Sequence, residues 1–224
     1  YFNYTRAVRT PTIEDAKIWY GEVKSKKSDI FEIGMRDYFK NTLISSSIFY
    51  MNAKNEVYYD TRDMLRIKSR NFDGTVRRIG AQLALSHYLG KFVLKENISY
   101  VNPKIVSGPY KGKSFVTVPN WILNLGAAYR FSEQFLINAD LYYQSKMYAE
   151  DDFENILGKD NSYVTLNMNA SYKFDNGIEI YGGIKNLLNE RYADTIAINP
   201  YPSPKIAYYP GDGRNFYMGF RYQF

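Results

Sequence analysis

The chain has 224 residues, a formal net charge of +6 and no cysteine, and aromatic side chains make up 17% of it, most of them tyrosine. The absence of cysteine excludes disulfides, thiolate zinc sites and cysteine nucleophiles, and the single histidine argues against a histidine metal cluster or a Ser-His-Asp site. With 45% hydrophobic residues the chain is not disordered, and it has no run of about 18 apolar residues that could form a membrane helix.

Apolar and polar residues alternate along about ten segments, which is the pattern of extended strands with two unlike faces. In the last segment Phe216, Met218 and Phe220 share one face, whereas Asn215 and Arg221 share the other. The sequence therefore predicts an all-β protein. The predicted strands cover residues 1–9, 29–39, 43–55, 75–88, 92–102, 121–131, 135–144, 163–174, 178–185 and 215–224.

Short turns and long connections alternate between these strands. The short turns are predicted at Lys40-Asn41, Leu89-Gly90, Ser132-Glu133 and Asp175-Asn176-Gly177. The long connections lie near residues 10–28, 56–74, 103–116, 147–161 and 188–213. In an up-and-down antiparallel sheet this alternation places every short turn at one end and every long loop at the other. It favours a segment of a transmembrane β-barrel, and the alternative is a soluble β-meander or lipocalin-like barrel.

Two features of the apolar faces bear on the membrane interpretation. Aromatic residues at strand ends predict an interfacial girdle at each membrane boundary, with Phe131 and Phe174 beside the short turns and Trp121 and Tyr163 toward the long loops. Glu96 falls on the apolar face of its strand. Because a carboxylate facing lipid is costly, we expect either a β-bulge there or a position near the interface.

Six segments, taken in order, resemble the C-terminal half of the barrel of TonB-dependent outer-membrane receptors. They are YFNYTRAVRTPT (1–12), KSKKSDIFEIGMRDY (24–38), RNFDGTVRRIGAQLAL (70–85), VPNWILNLGAAYRF (118–131), YGGIKNLLNERYA (181–193) and PGDGRNFYMGFRYQF (210–224). The resemblance covers residues 1–224 as one region. It implies the last ten strands of a 22-stranded barrel, with a plug domain and the earlier strands outside this sequence.

The resemblance also implies a function. Such a receptor lies in the outer membrane of a Gram-negative bacterium, is not an enzyme, and takes up a scarce nutrient with energy supplied by TonB. A ferric siderophore is the expected nutrient, and a haem receptor of the same family or a passive porin-like channel are the alternatives. A third alternative is a soluble module that binds polysaccharide or nucleic acid through a basic aromatic surface.

The implied partners are the receptor's own N-terminal plug domain, the TonB energy-transducing complex, the barrel-assembly machinery, outer-membrane lipid and lipopolysaccharide, and the ferric siderophore or haem itself. No nucleic acid partner and no cofactor are expected, since iron would be carried only as a transported ferric chelate. Phe220, Tyr222 and Phe224 in the terminal strand fit the insertion signal that the assembly machinery reads in such proteins.

Tyrosine and arginine near the long-loop end are the candidate ligand contacts, because aromatic rings supply stacking area and guanidinium groups donate to anionic oxygens. Alternatively, these tyrosines form the outer girdle or brace the loops. The candidates are Arg6, Arg9, Tyr58, Tyr59, Arg62, Tyr110, Tyr148, Tyr192, Tyr201, Tyr208, Tyr209 and Arg214. Residues expected to face the lumen, and to contact either the plug or water, are Glu32, Arg36, Arg77, Gln82, Lys185 and Arg221.

Three local motifs bear on haem, calcium and phosphate binding, and none of them is interpreted as such a site. His87 is predicted beside a short turn, away from the loops, which lowers the expectation of a histidine-ligated haem. The acidic run from Glu150 to Glu154 lacks the spacing of a calcium loop and is predicted to be a solvated loop tip. The segment 210–213, Pro-Gly-Asp-Gly, is predicted to be a loop that returns the chain to its last strand.

Overall fold

The computed structural model describes residues 1–12, 23–60, 68–199 and 203–223, and sixteen β-strands lie within them. Ten of these strands form the main sheet: β1 (Phe2–Arg9), β2 (Lys26–Phe39), β3 (Thr42–Lys54), β6 (Thr75–Leu89), β7 (Phe92–Ile105), β8 (Trp121–Arg130), β9 (Phe135–Gln144), β12 (Tyr163–Lys173), β13 (Ile178–Lys185) and β16 (Asn215–Tyr222). The other six form three hairpins: β4 (Val57–Asp60) with β5 (Lys68–Asn71), β10 (Met147–Tyr148) with β11 (Lys159–Asp160), and β14 (Ala193–Asn199) with β15 (Lys205–Pro210).

The main sheet is an up-and-down antiparallel meander. Each of its strands is hydrogen-bonded to the next main strand along the chain, in the order β1-β2-β3-β6-β7-β8-β9-β12-β13-β16. Its long strands suit a tilted membrane crossing, which takes about 9–11 residues. Within the described residues β1 and β16 each pair on one side only and form the two edges. The predicted all-β, up-and-down architecture of about ten strands is confirmed.

The connections confirm the predicted alternation. Main strands are joined by short turns at 40–41, 90–91, 131–134 and 174–177. These turns alternate with long connections, three of which carry the hairpins β4–β5, β10–β11 and β14–β15. Gly177 has a φ of 85°, and a Cβ atom there would lie 2.4 Å from the carbonyl oxygen of Gln223. A side chain at this turn would therefore collide with the last strand. All the short turns lie at one end of the sheet, and the long loops lie at the other.

The two faces of the sheet differ in chemistry. Directly opposed residues share a face, and the pairs Met168 with Ile184 and Ile184 with Phe216 extend one apolar face across neighbouring strands. On this apolar face Phe216, Met218 and Phe220 are 71%, 85% and 78% exposed. A soluble protein rarely leaves so large an apolar surface uncovered, so this face is suited to lipid. The opposite, polar face carries amide, hydroxyl and charged side chains.

The register bears on two predictions about the apolar face. Glu96 lies opposite Leu85 and Leu125 with no register shift in either pairing, so of the two predicted alternatives the bulge is absent, and a position near the membrane interface stays the prediction. Its carboxylate lies 3.7 Å from Nε2 of His87, whose Nδ1 lies 2.9 Å from the Thr42 hydroxyl. Tyr163 is not in the apolar girdle: it pairs with Gln144 and lies on the polar face, because it is adjacent to apolar-face Val164.

The buried core of the described residues lies at the loop end of the sheet, among the long loops and the ends of β6 and β7. One cluster, which we call the loop core, consists of Phe72, Val76, Ile105, Phe115, Val116 and Phe153. Phe153 is 1% exposed, and its ring lies 4.8 Å from Phe72 and 5.8 Å from Phe115. A second, smaller cluster joins β10 to β14 and consists of Met147, Ala149, Ala193 and Ile196. The loops are therefore packed against one another.

The acidic run is part of this packing, so the prediction of a solvated loop tip is wrong. Asp151 and Asp152 are 4% and 1% exposed. The carboxylate of Asp152 accepts hydrogen bonds from the backbone N–H groups of Ile156, at 2.9 Å, and Leu157, at 3.2 Å. Asp152 is thus buried because it caps the turn that follows Phe153.

The described residues include no helix with the length and apolar character of a membrane span. They also contain no group of three or more His, Cys, Asp or Glu side chains that could hold a metal ion. Segment 211–214 connects β15 to β16 without regular secondary structure, as expected of a returning loop.

Candidate ligand-binding pocket on the polar face

A pocket of about 510 Å³ opens on the polar face where β7, β8, β9 and β12 approach the long loops. Three tyrosines form its aromatic part: Tyr142 at the end of β9, Tyr163 at the start of β12 and Tyr192 in the connection after β13. Its other polar side chains are Lys95, Asn97, Asn124, Asp140, Thr165, Asn167 and Asp194.

The three tyrosine rings contact one another in series. The rings of Tyr163 and Tyr192 are stacked 4.4 Å apart with an interplanar angle of 28°, and those of Tyr142 and Tyr163 lie 5.8 Å apart with a tilt of 41°. Gly211 fixes Tyr192 from behind, because its N–H donates to the Tyr192 carbonyl at 3.0 Å and a Cβ atom on Gly211 would lie 2.3 Å from the ring. Such an aromatic wall offers a flat ligand a large, rigid contact surface.

The charges around the pocket are mixed. Lys95 is balanced by two carboxylates, Asp140 and Asp194, so the lining is not the basic mouth that the sequence suggested. Burial, and then the charges of Asp194 and Asp212, raise the pKa of the Tyr192 phenol, which keeps it protonated as a hydrogen-bond donor at neutral pH. The pocket is therefore suited to a polar ligand with flat groups that both donates and accepts hydrogen bonds.

The structure separates the predicted ligand residues into groups, and of those whose side chains it describes only Tyr192 lines the pocket. Tyr58, Tyr110 and Tyr148 pack against the loop core. Tyr58 lies edge-on to Phe153 with ring centres 5.0 Å apart, and Tyr110 stacks on the same ring at 5.6 Å. These three tyrosines have the arrangement expected of residues that brace the loops.

The remaining candidates that the structure describes lie away from the pocket. Arg6 is on the apolar face, 3.6 Å from the carboxylate of Asp29, while Arg9 ends β1. Tyr208 donates a hydrogen bond to the carboxylate of Asp160, Tyr209 is exposed, and the N–H of Arg214 donates to the Asn189 side chain at 3.3 Å. Outside the described residues are Arg62, Tyr201 and the side chain of Tyr59.

Five of the six predicted lumen residues lie on the polar face: Glu32, Arg36, Gln82, Lys185 and Arg221. Arg221 contacts the carboxylate of Glu179 at 3.2 Å, and Glu32 accepts a hydrogen bond from the Tyr1 hydroxyl at 2.9 Å. Arg77 lies on the apolar face instead, opposite Asn52 and Lys104 at the loop end. Arg77, Ile79 and Ala81 follow one another at every second position of β6, so all three lie on the apolar face.

The other two pocket tyrosines, Tyr142 and Tyr163, were not among the predicted ligand contacts. Tyr142 is the chain neighbour of Tyr143, and Tyr163 is the chain neighbour of Val164; Tyr143 and Val164 both lie on the apolar face. Because successive side chains of a strand point to opposite faces, the polar-face position of Tyr142 and Tyr163 follows from the sequence. A strict count along each strand would have placed both on the polar face. Of the proposed insertion-signal residues, Phe220 and Tyr222 lie on the apolar face of β16, and Phe224 lies outside the described residues.

The fold is shared with solved receptors and transporters. The siderophore receptor PirA from Acinetobacter baumannii matches at 17% identity with a TM-score of 0.71, over 100% of this chain and 38% of that one. The ferric-catecholate import receptor Fiu from K12 E. coli matches at 16% identity with a TM-score of 0.68, over 98% of this chain and 32% of that one. The copper transporter OprC matches at 15% identity with a TM-score of 0.75, over 100% of this chain and 36% of that one.

The chain spans about a third of the length of these solved proteins. No curated protein sequence matches it. The family model described as TonB dependent receptor-like, beta-barrel, matches residues 1–187, which is most of the chain. Together with the ten-stranded meander and its exposed apolar face, this match confirms the resemblance found in the sequence: the chain belongs to the TonB-dependent receptors and forms part of their β-barrel, in a family of transport receptors rather than enzymes.

Proposed function

We propose that the full-length receptor lies in the outer membrane of a Gram-negative bacterium and takes up a ferric siderophore, using energy delivered through the TonB complex and its own plug domain. The stacked tyrosine pocket of Tyr142, Tyr163 and Tyr192 carries this proposal. Aromatic walls with amide, hydroxyl and carboxylate groups fit the flat, hydrogen-bonding arms of iron chelators. The solved relatives include proteins described as ferric-catecholate, ferric citrate and ferric preacinetobactin receptors or transporters.

Haem is the second candidate within the same family. Haem iron takes a histidine or tyrosine ligand from the protein in many sites. The only histidine of the chain, His87, lies on the apolar face two residues from a short turn, whereas the pocket opens on the polar face. The histidine is therefore on the opposite face of the wall from the pocket, which favours the siderophore.

The test uses a strain that lacks the receptor gene and is complemented with the full-length receptor under iron restriction. Growth is measured with ferric catecholate, ferric hydroxamate, ferric citrate or haem as the iron source. We expect one ferric siderophore to restore growth. Tyr142→Ala and Tyr163→Ala should each weaken binding of that siderophore by about 30-fold, because truncation of a central aromatic contact costs about 2 kcal/mol.

Tyr143→Ala is the matched control, because Tyr143 follows Tyr142 in β9 but lies on the apolar face. Its siderophore affinity should stay within about twofold of wild type, with surface abundance of all variants checked by heat-dependent gel mobility. Growth restored only by haem would replace the siderophore proposal. Uptake that persists after collapse of the proton gradient, and that never saturates, would support the porin-like channel instead.

A further inference from the structure

The connection that carries Tyr192 is anchored by two buried asparagines, Asn161 and Asn186, which we call the asparagine clamp. Asn161 lies between β11 and β12, and Asn186 follows β13 directly. The two residues are 8% and 3% exposed. Both have a left-handed backbone, with φ angles of 65° and 48°. Glycine takes this backbone most easily, but asparagine adds an amide that can bond neighbouring backbone groups.

Each amide of the asparagine clamp bonds both backbone groups of one residue. Oδ1 of Asn161 accepts a hydrogen bond from the N–H of Ala193 at 3.1 Å, and Nδ2 donates to the Ala193 carbonyl at 2.8 Å. Oδ1 of Asn186 accepts from the N–H of Glu190 at 2.9 Å, and Nδ2 donates to the Glu190 carbonyl at 2.9 Å. Tyr192 lies between these two anchored residues, so its backbone is fixed on both sides.

Asn186 also fixes the segment behind the Tyr192 ring. Its Nδ2 donates a second hydrogen bond to the carbonyl of Asp212 at 3.1 Å. Asp212 follows Gly211, whose N–H donates to the Tyr192 carbonyl at 3.0 Å. The backbone N–H of Asn186 donates to Oδ1 of Asn167 at 2.9 Å, and Asn167 lines the pocket. The chain before Tyr192 and the chain behind it are therefore both joined to β12.

Asn161 connects the same segment to Tyr142. The Tyr142 hydroxyl donates to Oε1 of Gln144 at 3.0 Å, and Nε2 of Gln144 donates to the Asn161 carbonyl at 3.2 Å. Gln144 is also buried. A continuous series of hydrogen bonds therefore runs from Tyr142 through Gln144 and Asn161 to Ala193, the chain neighbour of Tyr192. The two outer rings of the tyrosine wall are thus held in fixed places relative to each other.

We propose that the asparagine clamp positions the siderophore site, by holding Tyr192 stacked on Tyr163 before the siderophore arrives. Among the described residues that line the pocket neither asparagine is present, so the clamp acts through Tyr192. The inference rests on the proposed function, in which the tyrosine wall contacts the siderophore. A preformed wall binds more tightly than one that the siderophore must order, because the apparent affinity falls with the fraction of receptor in the competent arrangement.

Asn155 provides a matched control, because it makes the same type of contact elsewhere. It has a φ of 57°, its Oδ1 accepts from the N–H of Ser114 at 2.8 Å, and its Nδ2 donates to the Ser114 carbonyl at 3.1 Å. Ser114 lies in the connection between β7 and β8, which contributes no residue to the pocket. Substitution by glycine preserves the left-handed backbone at each asparagine and removes only the amide.

The first test needs no siderophore. Hydroxyl-radical labelling of the full-length receptor in detergent, read by mass spectrometry, reports the exposure of the Tyr192 ring. We expect Tyr192 to lose protection in the clamp variant Asn161→Gly/Asn186→Gly and to keep it in Asn155→Gly. Equal protection of Tyr192 in the wild type and the clamp variant would overturn the inference and leave the proposed function intact.

The second test measures affinity by fluorescence quenching, with ferric enterobactin, ferrichrome and ferric citrate as probes. The probe that binds the wild type should bind the clamp variant about tenfold more weakly, because the lost hydrogen bonds lower the fraction of receptor with a preformed wall. Asn155→Gly should bind it within about twofold of wild type. Unchanged affinity in the clamp variant would also overturn the inference.

A double-mutant cycle separates positioning from a general loss of structure. In a Tyr192→Ala background the clamp substitutions should cost no further affinity, because the ring through which they act is already absent. The same loss in both backgrounds would overturn the positioning role. Failure of all three probes to bind the wild type would contradict the proposed function and the role of the clamp in affinity together.

Discussion

Glu56 fixes the start of the connection between β3 and β6. Its carboxylate lies 2.8 Å from Nζ of Lys26 and contacts the guanidinium of Arg78, and its side chain is 7% exposed. The Glu56 carbonyl also accepts a hydrogen bond from the N–H of Phe72 at 2.6 Å. Burial alone raises the pKa of Glu56, but the charge of Arg78 and the hydrogen bonds from Lys26 and Arg78 outweigh it, so the pKa lies below its usual 4.5.

We expect Glu56→Gln to accelerate amide hydrogen exchange at Phe72 by about 100-fold. Removal of one member of a buried ion pair costs about 3 kcal/mol, because the partner charges stay buried without compensation. Exchange of the full-length receptor, read by mass spectrometry on peptides that contain Phe72, measures this effect. The exposed turn residue Glu133 provides the control Glu133→Gln, which should leave the exchange at Phe72 unchanged.

The same contact predicts a pH dependence. Since folding lowers the pKa of Glu56, its contribution is fully present above the unfolded value of 4.5 and is lost as the pH falls through the lower, folded value. Protection at Phe72, corrected for intrinsic exchange, should therefore fall below pH 4.5 in the wild type and stay flat in Glu56→Gln. A parallel decline in both proteins would show that another group is responsible.

At the scale of elements, the long loops are held by the loop core, which also includes Val76 and Ile105 from the loop ends of β6 and β7. Phe153 brings together aromatic rings from two other long connections: Tyr58 and Phe72 lie between β3 and β6, and Tyr110 and Phe115 lie between β7 and β8. The Asp152 carboxylate holds the turn that presents Phe153. The connections between β3 and β6, between β7 and β8 and between β9 and β12 are thus a packed unit, and loss of its centre should loosen all three.

Phe153→Ala should open this unit, since truncation of a buried phenylalanine costs about 3–5 kcal/mol. We expect limited trypsin digestion of the full-length receptor to cleave after Lys111 and Lys113 at least tenfold faster than in the wild type, because both lysines are exposed in a loop that packs on Phe153. Phe174→Ala, on the apolar face beside a short turn, is the control and should not change these sites. Equal cleavage rates in all three proteins would contradict a role for the loop core in ordering the loops.

At the scale of the whole molecule, the sheet has two open edges. Within the described residues β1 bonds only to β2, and β16 bonds only to β13. Open edges are avoided in membranes because each unsatisfied backbone group in the hydrocarbon costs several kcal/mol, and exposed edges also promote association. The apolar face adds to this tendency, since Met218 and Phe220 next to one edge are largely exposed.

We therefore expect the 224-residue chain, refolded alone in detergent, to form oligomers and to lack the heat-dependent gel mobility of a closed barrel. The full-length receptor refolded in parallel should migrate as a folded monomer. Size-exclusion chromatography with light scattering gives the mass of each species. A monomeric, folded 224-residue chain that conducts ions in a lipid bilayer would contradict this prediction.

Much of the fold could be predicted because strand periodicity is a local property of the sequence. Alternation at Phe216, Met218 and Phe220 is enough to define a strand and its apolar face, and turn residues such as Asp175-Asn176-Gly177 divide the strands into hairpins. The confirmed family resemblance depends on the same local segments. The strand order follows, because short turns force neighbouring strands to pair.

The tertiary structure alone decided the contacts between distant segments. The burial of Asp152 and the clustering of Tyr110 and Tyr148 around Phe153 depend on loops that meet only after the sheet has formed, and no local pattern encodes them. The stack of Tyr163 on Tyr192 likewise joins a strand to a later loop. Sequence thus determined which residues are extended and which face each one occupies, since both follow from neighbours along the chain. Packing in three dimensions decided which of those residues form a pocket or a buried cap.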